Sequence, residues 1–488
     1  MLFNSINFAV FLPIVFLIYW LIKEKNISFQ NALILIASYF FYACWDWRFL
    51  FLLIFSTLLD YFTGLKMQYT NNQKRKRFWF RLSIIINLSF LGVFKYYNFF
   101  AESFAESISY FNLHINPWTL KVILPVGISF YTFHGISYII DIYKDRIKAE
   151  QNFVDYAVFV SFFPLLVAGP IERATHLLPQ IKKKRNFDYI KTVDGLRQIL
   201  WGLFKKIVIA DNCAEYSNLI FNNYSDYSGS TLVLGAIFFT FQIYGDFSGY
   251  SDIALGTARL FGIELLRNFA FPYFSRDIAE FWRRWHISLS SWFKDYLYKP
   301  LGGSKGSNWI RIRNTFIIFT ISGFWHGANW TFVSWGILNA LFILPSIIMK
   351  TNRNNIEIVA QGNLLPTIKE LFQMITTFSL TVFTWIFFRA ENLEHALKYV
   401  SKIFSLSLFS YPCINLKDTS IHISPKTLIF IILIFMLLEW IGREGRYAIS
   451  DLGLKRKRVL RWLLYISFIL AIFYLGNFKE NTFIYFQF

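Results

Sequence analysis

The chain has 488 residues, of which 55% are hydrophobic and 21% aromatic, and its mean hydropathy is +0.41. Soluble domains do not have this composition, and repeated apolar runs of about 15–22 residues match the thickness of a bilayer. The net charge of +19 does not indicate a nucleic-acid partner, because the Lys and Arg residues of membrane proteins collect beside anionic lipid headgroups. We therefore expect an all-α polytopic membrane protein, since a β-barrel would show short alternating strands.

The first apolar run, residues 6–22, has no basic segment before it and no small-residue cleavage site. We expect it to be a retained helix and not a removed signal peptide. Three cysteines, Cys44, Cys213 and Cys413, are scattered without a paired spacing. They indicate neither a disulfide framework nor a metal site, and each is expected to be a small buried residue.

Further apolar runs follow the first in chain order. They lie at residues 32–44, 49–65, 82–100, 122–143, 196–210, 232–247, 330–348, 368–388, 428–441 and 460–474. Basic clusters at 73–77, 144–148, 182–185 and 455–458 are expected in the cytoplasm. Counting crossings between these clusters predicts about eleven or twelve spans, with the N-terminus outside.

Residues 153–169 are apolar enough to cross the membrane, yet the basic run 182–185 follows them. Pro164, Gly169 and Pro170 interrupt this segment. We therefore expect a re-entrant element that enters and leaves on the cytoplasmic side. Such irregular backbone is tolerated at membrane depth only where protein surrounds it.

The predicted span 232–247 leads into a polar run that contains Asp246 and Asp252. These carboxylates should face the protein interior. Interhelical hydrogen bonding is their favoured role, and a direct part in catalysis is the alternative.

Residues 259–313 carry many cations and few acids, which places them on or in the cytoplasmic face. Three tryptophans alternate there with three cations, a pattern typical of an interfacial amphipathic stretch. They are Trp282, Trp285 and Trp292, with Arg283, Arg284 and Lys294. Arg283 and Lys294 are candidates to bind a phosphate-bearing ligand, although contact with lipid headgroups explains the charges equally well.

Two histidines, His286 and His326, are the most informative residues. His326 lies 13 residues beyond Arg313, which at the helical rise places it ~20 Å into a hydrocarbon core ~30 Å thick. An ionisable side chain at that depth is a functional candidate, and imidazole transfers protons near neutral pH. Gly323 and Gly327 would admit a ligand or another backbone, which favours function over simple interhelical hydrogen bonding.

Five motifs, taken in order along the chain, resemble the membrane-bound O-acyltransferase family and in particular its bacterial polysaccharide branch. They are 124–133, 166–171, 246–252, 280–286 and 325–330. The segment 385–390 and the aromatic ending 485–488 are most similar to members that O-acetylate alginate or peptidoglycan. Teichoic acid D-alanyl transferases belong to the same branch.

The resemblance implies one integral membrane domain over residues 1–488, with interfacial helices and a central tunnel. N-terminal helices would occupy 1–120, the catalytic core 121–350, and C-terminal helices with the tail 351–488. The donor would be cytosolic acetyl-CoA, without a metal, and the acceptor an extracytoplasmic polysaccharide. The resemblance further implies the bacterial inner membrane, a lipid environment, an SGNH-type acetyltransferase partner outside the cytoplasm, and no nucleic acid.

The family's invariant histidine corresponds to His326, and its second important histidine to His286. The resemblance thus makes His326 the general base that takes the acceptor's proton, while His286 holds the acceptor or stabilises the oxyanion. Asn329 is a candidate to orient His326. Tyr485 is a candidate acyl carrier, because about ten residues follow the last predicted span and reach ~30 Å when extended. Anchoring of the tail among headgroups is the alternative.

Three other functions stay open at this stage. They are a D-alanyl transferase of the teichoic acid type, a transporter of a lipid-linked sugar, and a non-catalytic scaffold for an extracellular transferase. Loss of His326 should abolish acyl transfer by an enzyme, whereas a transporter should not depend on one imidazole in this way.

Overall fold

A computed structural model of the chain describes residues 1–22, 26–120, 123–166, 169–414, 421, 423–452, 457–479 and 483–484. The regular elements in these ranges are all helices, as the composition predicts. The chain forms two compact units. One comprises Met1–Thr192 and Thr257–Leu266, and the other comprises Val193–Gly256 and Arg267–Phe488. The three-part division expected from the resemblance stays a prediction.

Nine helices of the first unit lie within its described residues. They are α1 (Ile6–Leu21), α2 (Ile27–Ala43), α3 (Trp47–Gln68), α4 (Gln73–Leu91), α5 (Tyr97–Ser109), α6 (Ile128–Tyr143), α7 (Phe153–Ser161), α8 (Phe163–Leu166) and α9 (Ala174–Lys182). A π-helical segment, Gly92–Tyr96, joins α4 to α5. Buried Asp60 of α3 accepts hydrogen bonds from Ser83 and Asn87 of α4, so a polar contact ties these two helices together.

The segment that was expected to re-enter the membrane is broken, as predicted, but at a different residue. Helix α7 ends at Ser161 and α8 begins at Phe163, because Phe162 between them has a ψ of 114°. Pro164 lies in the first turn of α8, where a missing N–H costs nothing. The side chains of Phe162 and Phe163 are fully buried, which irregular backbone at membrane depth requires.

Eleven further helices among the described residues lie wholly or largely in the second unit. They are α10 (Tyr189–Leu203), α11 (Asp211–Asn222), α12 (Gly229–Leu260), α13 (Ile278–Arg284), α14 (Ile287–Phe293), α15 (Asn308–His326), α16 (Trp330–Ile348), α17 (Ile368–Arg389), α18 (Leu393–Ile403), α19 (Pro425–Ile441) and α20 (Arg458–Leu475). Only the start of α10 and the end of α12 belong to the first unit. A π-helical segment, Phe204–Ala210, connects α10 to α11. A second one, Lys294–Tyr298, follows α14.

Six helical stretches among the described residues are long and apolar enough to cross a membrane. They are Trp47–Gln68, Gln73–Ser109, Gly229–Leu260, Trp330–Ile348, Ile368–Arg389 and Arg458–Leu475. Shorter apolar helices lie at Ile6–Leu21, Ile27–Ala43 and Phe153–Leu166. The prediction of a multi-pass helical membrane protein is confirmed. The larger number of spans and their direction stay predictions.

The three cysteines do not share one environment. Cys213 is buried within α11, as predicted. The prediction is wrong for Cys44 and Cys413, which are exposed. Cys44 follows the last turn of α2 and Cys413 lies in an irregular stretch after α18, so neither occupies the interior of a helix.

Candidate active site

A helical hairpin formed by α15 and α16 places His326. His326 is the last residue of α15, because Gly327 is extended, with φ −161° and ψ 152°. Asn329 then starts α16, and its side-chain oxygen accepts a hydrogen bond from the N–H of Thr331 at 3.0 Å. His326 therefore lies at the tip of the hairpin, and its side chain is buried.

Glycines allow the two helices of this hairpin to approach closely. A Cβ at Gly323 would lie 2.2 Å from the carbonyl oxygen of Phe332, and one at Gly336 would lie 2.2 Å from that of Phe319. A Cβ at Gly327 would lie 2.1 Å from the Phe332 ring. Gly323 and Gly327, predicted to admit a ligand or another backbone, therefore admit helix α16, and this packing fixes the position of His326.

We expect Gly323→Ala to push α16 away, because the atom in the way belongs to the backbone and cannot rotate aside. The variant should lose roughly 1–3 kcal/mol of stability, as overpacked sites do, and should lose activity because His326 is displaced. Gly92→Ala is the matched control, since nothing lies within 4 Å of the added Cβ. Thermal unfolding in detergent, measured for both variants, checks the prediction, and equal melting temperatures would contradict it.

His286 lies between α13 and α14 in a strained conformation. Its φ of 43° and ψ of 55° fall in the left-handed region, which side chains with a Cβ rarely adopt. Its carbonyl oxygen accepts a hydrogen bond from the N–H of Ser290 at 3.0 Å, so His286 caps α14 with its backbone. Strain of this kind concentrates at functional sites, where the surrounding structure maintains it.

The two imidazoles come from different elements and meet in an aromatic environment. The ring centroids of His286 and His326 are 6.5 Å apart, and the residues are 1% and 4% exposed. Phe247 of α12 packs edge-on to His286 at 4.6 Å, and Phe388 of α17 lies 5.4 Å from His326. Burial lowers the pKa of His286 to about 3, so this imidazole is neutral at physiological pH.

Beside the pair lies a group of buried charges that the polar run on α12 helps to form. Lys206 Nζ lies 2.7 Å from Asp211 Oδ1 and 2.8 Å from Asp246 Oδ1. Lys205 Nζ lies 2.5 Å from Oδ2 of the partly exposed Asp252. Both aspartates of α12 therefore pair with lysines of the π-helical segment Phe204–Ala210, and the choice between a structural and a catalytic role for them stays a prediction.

Phe483 and Ile484, close to the end of the sequence, dock on the same part of α12. The backbone N–H of Ile484 donates to Asp246 Oδ2 at 2.7 Å, and Phe483 and Ile484 are buried. The Phe483 ring lies 6.0 Å from Phe247, the residue that also contacts His286. Tyr485 follows directly, but it lies outside the described residues.

The hydrogen bonds that the structure shows for the Asn329 side chain go to residues other than His326. Its oxygen caps α16, and its amide donates to the carbonyl of Glu391 at 2.8 Å. Arg283 donates to the carbonyls of Asn352 and Asn355, both at 2.7 Å, so its guanidinium holds a loop of the chain.

The tryptophans of the predicted interfacial stretch pack inside the unit. Trp285 and Trp292 are buried, and Trp282 donates to Asn339 Oδ1 at 3.3 Å. These rings pack with neighbouring rings of the same unit, and the position of the stretch at a membrane interface stays a prediction. Lys294 is exposed, as a cation at a membrane surface would be.

Two groups of residues at the site were not identified from the sequence. Lys205 and Lys206 fall inside the predicted span 196–210, and two consecutive lysines at membrane depth were a visible signal of buried ion pairs. Asn268, which contacts His286 at 3.0 Å, is 18 residues away in the chain and carried no signal of its own. Among the described residues no group of three His, Cys, Asp or Glu side chains could hold a metal ion.

Sequence comparison identifies the class of protein to which this fold and this site belong. Residues 144–388, which include both histidines, match the model of MBOAT, the membrane-bound O-acyltransferase family. The chain belongs to this family and is an O-acyltransferase.

Three of the relatives that the chain matches are named for alginate, peptidoglycan and teichoic acid. A probable alginate O-acetylase of Pseudomonas putida is 36% identical over 100% of both chains. A peptidoglycan O-acetyltransferase of Helicobacter pylori is 38% identical over 83% of this chain and 80% of its own. A teichoic acid D-alanyltransferase of Streptococcus thermophilus is 30% identical over 44% of this chain and 55% of its own.

Proposed function

We propose that this protein transfers an acetyl group from cytosolic acetyl-CoA, through the bacterial inner membrane, to an extracytoplasmic polysaccharide. The observation that carries the proposal is the buried pair of His286 and His326, whose rings lie 6.5 Å apart. Two similar proteins named as O-acetylating enzymes match more than four fifths of this chain, whereas the D-alanyltransferase matches 44% of it. Acetyl is therefore the favoured acyl group.

The chemistry needs a group that accepts a proton. A thioester is already reactive, but a hydroxyl stays protonated at pH 7 and is a weak nucleophile. An imidazole within hydrogen-bond reach removes the hydroxyl proton while the oxygen–carbon bond forms and the carbon–sulfur bond breaks. The proton then passes to the sulfur, which leaves as a thiol. The resemblance assigns the proton transfer to His326.

The environment of the pair suits this transfer. Aromatic rings from α12, α16 and α17 surround the imidazoles and keep bulk water from the ester. We propose that the donor and the acceptor enter from opposite membrane faces through a central tunnel, so that CoA itself never crosses. An SGNH-type acetyltransferase outside the cytoplasm would complete transfer to the final polysaccharide.

Purified protein in sealed proteoliposomes tests this function. Acetyl-labelled acetyl-CoA is added outside, and mannuronate or peptidoglycan oligosaccharides are enclosed in the lumen, with a soluble SGNH-type acetyltransferase in half of the samples. We expect the thiol of CoA to appear outside while label reaches the protein or the enclosed oligosaccharide. Release of no thiol by folded protein, or consumption of a D-alanyl thioester in its place, would contradict the proposal.

The docked tail supports a role for Tyr485 as acyl carrier. Ile484, the preceding residue, is held by Asp246, and Phe483 packs against Phe247 next to His286. These contacts place Phe483 and Ile484 at the part of α12 that contacts His286. We propose that the Tyr485 hydroxyl receives the acetyl group as an ester and passes it to the outer acceptor.

Tyr485→Phe should therefore abolish transfer to the enclosed oligosaccharide, because the variant has no hydroxyl to acylate. Intact mass spectrometry during turnover should show one added acetyl group on the wild type and none on the variant. Tyr474→Phe is the control, since Tyr474 is 74% exposed near the end of α20. Full activity of Tyr485→Phe would rule out the carrier and leave the transferase function intact.

A further inference from the structure

An apolar groove lies in the second unit between α12, α17 and the end of α18. Its volume is about 240 Å³, and every residue that lines it is apolar except Ser379. Ala236 and Ile237 of α12 form one wall, and Val382 and Ile386 of α17 form the other. An apolar cavity of ~150 Å³ already accommodates benzene, so this groove has space for several methylene groups of a chain.

The groove lies on the side of α17 that faces lipid. Both α12 and α17 are long and apolar enough to cross a bilayer. Exposed apolar side chains recur on α17 at helical spacing and form a stripe that leads to Ser379 at the groove. They are Ile368, Leu371, Phe372 and Ile375. Because such a stripe on a spanning helix contacts hydrocarbon, the molecules that can enter the groove are membrane lipids.

One end of the groove carries a positive charge. There α12 begins against the end of α18, since a Cβ at Gly229 would lie 2.9 Å from the carbonyl oxygen of Lys402. The ammonium of Lys402 donates to the carbonyl oxygen of Ser225, and no carboxylate of the described residues lies within 4.0 Å of it. An anionic group at this end would therefore meet a cation without an acidic partner.

The direction of the groove matches the orientation of a phospholipid in a leaflet. Ile237 lies eight residues beyond Gly229 on α12, which is ~12 Å at the helical rise. Val382 lies seven residues before Arg389, the last residue of α17, so both walls extend from helix ends towards the middle of the bilayer. A phosphate at Lys402 would thus leave an acyl chain that runs inward along the groove.

Exposed apolar residues follow Lys402 in the chain. Phe404 lines the groove, and its side chain is largely exposed, as are those of Leu406 and Phe409. Large apolar side chains beside a cation are typical of the boundary between headgroups and acyl chains. These residues therefore place Lys402 at the level where the phosphate of a lipid lies.

We infer that the groove binds one acyl chain of an anionic phospholipid of the surrounding bilayer, whose phosphate contacts Lys402. With the predicted direction of α17, this lipid belongs to the outer leaflet. It is neither the acyl donor nor the acceptor, so the inference goes beyond the proposed function and does not depend on it. Val382 and Ile386 face the groove, whereas Phe388 of the same helix lies 5.4 Å from His326. A bound chain would therefore support α17 from the side opposite to the histidine pair.

Photo-crosslinking of the full-length protein in nanodiscs tests the inference. The nanodiscs contain phosphatidylcholine and a minor fraction of phosphatidylglycerol that carries a diazirine in one acyl chain, and peptide mass spectrometry locates the label. We expect the label on the peptides of α12 and α17 that line the groove. Lys402→Gln should lower this labelling about fivefold, the effect of one cation beside an anionic headgroup. A phosphatidylcholine probe with the same diazirine should likewise label the groove about fivefold less.

Ser379→Trp should lower the labelling about tenfold, because the indole covers the opening, and this corresponds to about 1.4 kcal/mol of binding. Lys426→Gln and Leu470→Trp are the matched controls. Lys426 is an exposed lysine in the first turn of α19, and Leu470 is exposed on α20, so both are away from the residues that line the groove. Both should be labelled like the wild type, and melting temperatures show whether each variant is folded.

Three results would overturn the inference. They are label spread evenly over exposed helices such as α20, unchanged labelling of folded Ser379→Trp protein, and equal labelling of the groove by the two probes. Crosslinks between two copies of the chain at the groove would also overturn it, because a second copy would then be the occupant. None of these measurements uses acetyl transfer, so their failure is distinct from failure of the proposed function.

Discussion

Replacing His326 with alanine is expected to lower the rate of acetyl transfer by about 10²-fold to 10⁴-fold, the range that a positioned acid or base contributes. The imidazole lies at the tip of the α15–α16 hairpin, buried against Trp335 and Phe388, and within reach of the second imidazole. Among the described residues, His326 is the one titratable ring that contacts His286. The loss should appear in kcat, because the group acts on the reacting atoms and not on the remote part of the donor.

The matched control for this variant is His395→Ala. His395 is buried in α18 and packs against the ring of Tyr224, away from the histidine pair. Both variants remove a buried imidazole and so should lose similar stability. The rate of CoA thiol release by each, normalised to folded protein, distinguishes catalysis from packing. An active His326→Ala protein, or two variants that are equally impaired, would contradict the role of His326.

Lys206→Met is expected to produce the largest loss of stability among the substitutions considered. Lys206 is 1% exposed and pairs with both Asp211 and Asp246, so its removal takes away the cation that these two buried carboxylates share. Breaking a buried ion pair in this way costs about 3–5 kcal/mol. Because Asp246 also accepts the N–H of Ile484, the docked tail should loosen as well.

An exposed ion pair on α18 provides the comparison. Lys398 and Glu394 lie 2.6 Å apart, but their side chains are 59% and 74% exposed. Solvent screens such pairs, so Lys398→Met should leave unfolding unchanged. Adding Asp211→Asn and Asp246→Asn to Lys206→Met should restore part of the lost stability, since the buried negative charges are removed together with the cation. Thermal unfolding in detergent of the three proteins checks both expectations, and an unaffected Lys206→Met protein would show that the charges are not coupled.

Features that depend on local pattern could be predicted from the sequence. Long apolar runs predicted an all-helical membrane protein, and the motif around His326 predicted the family. Arg313 and His326 lie on one helix, α15, as the spacing assumed, whereas the depth of His326 in a membrane stays a prediction. These inferences use spacing within a single element, where helical geometry fixes the answer.

Features that depend on contacts between distant segments could not be predicted. Asn268 reaches His286 because the chain returns on itself and His286 adopts a left-handed backbone, and neither leaves a periodic signal. The missing side chain of Gly323 was expected to leave space for a ligand or another backbone, and the backbone of α16 occupies that space. Asn329 caps α16, a role that its place just before a helix favours, and its predicted role in orienting His326 stays a prediction.

The most direct test of the transfer site is an experimental structure of the protein in nanodiscs with S-acetonyl-CoA, an unreactive thioether in which a methylene separates the sulfur from the carbonyl. We expect the carbonyl carbon of this analogue to lie between the two imidazoles, with a ring nitrogen of His286 or His326 within about 3–4 Å of the place of the attacking hydroxyl. An analogue bound with its acetyl group elsewhere, while Trp335, Phe247 and Phe388 still enclose both rings, would contradict the account.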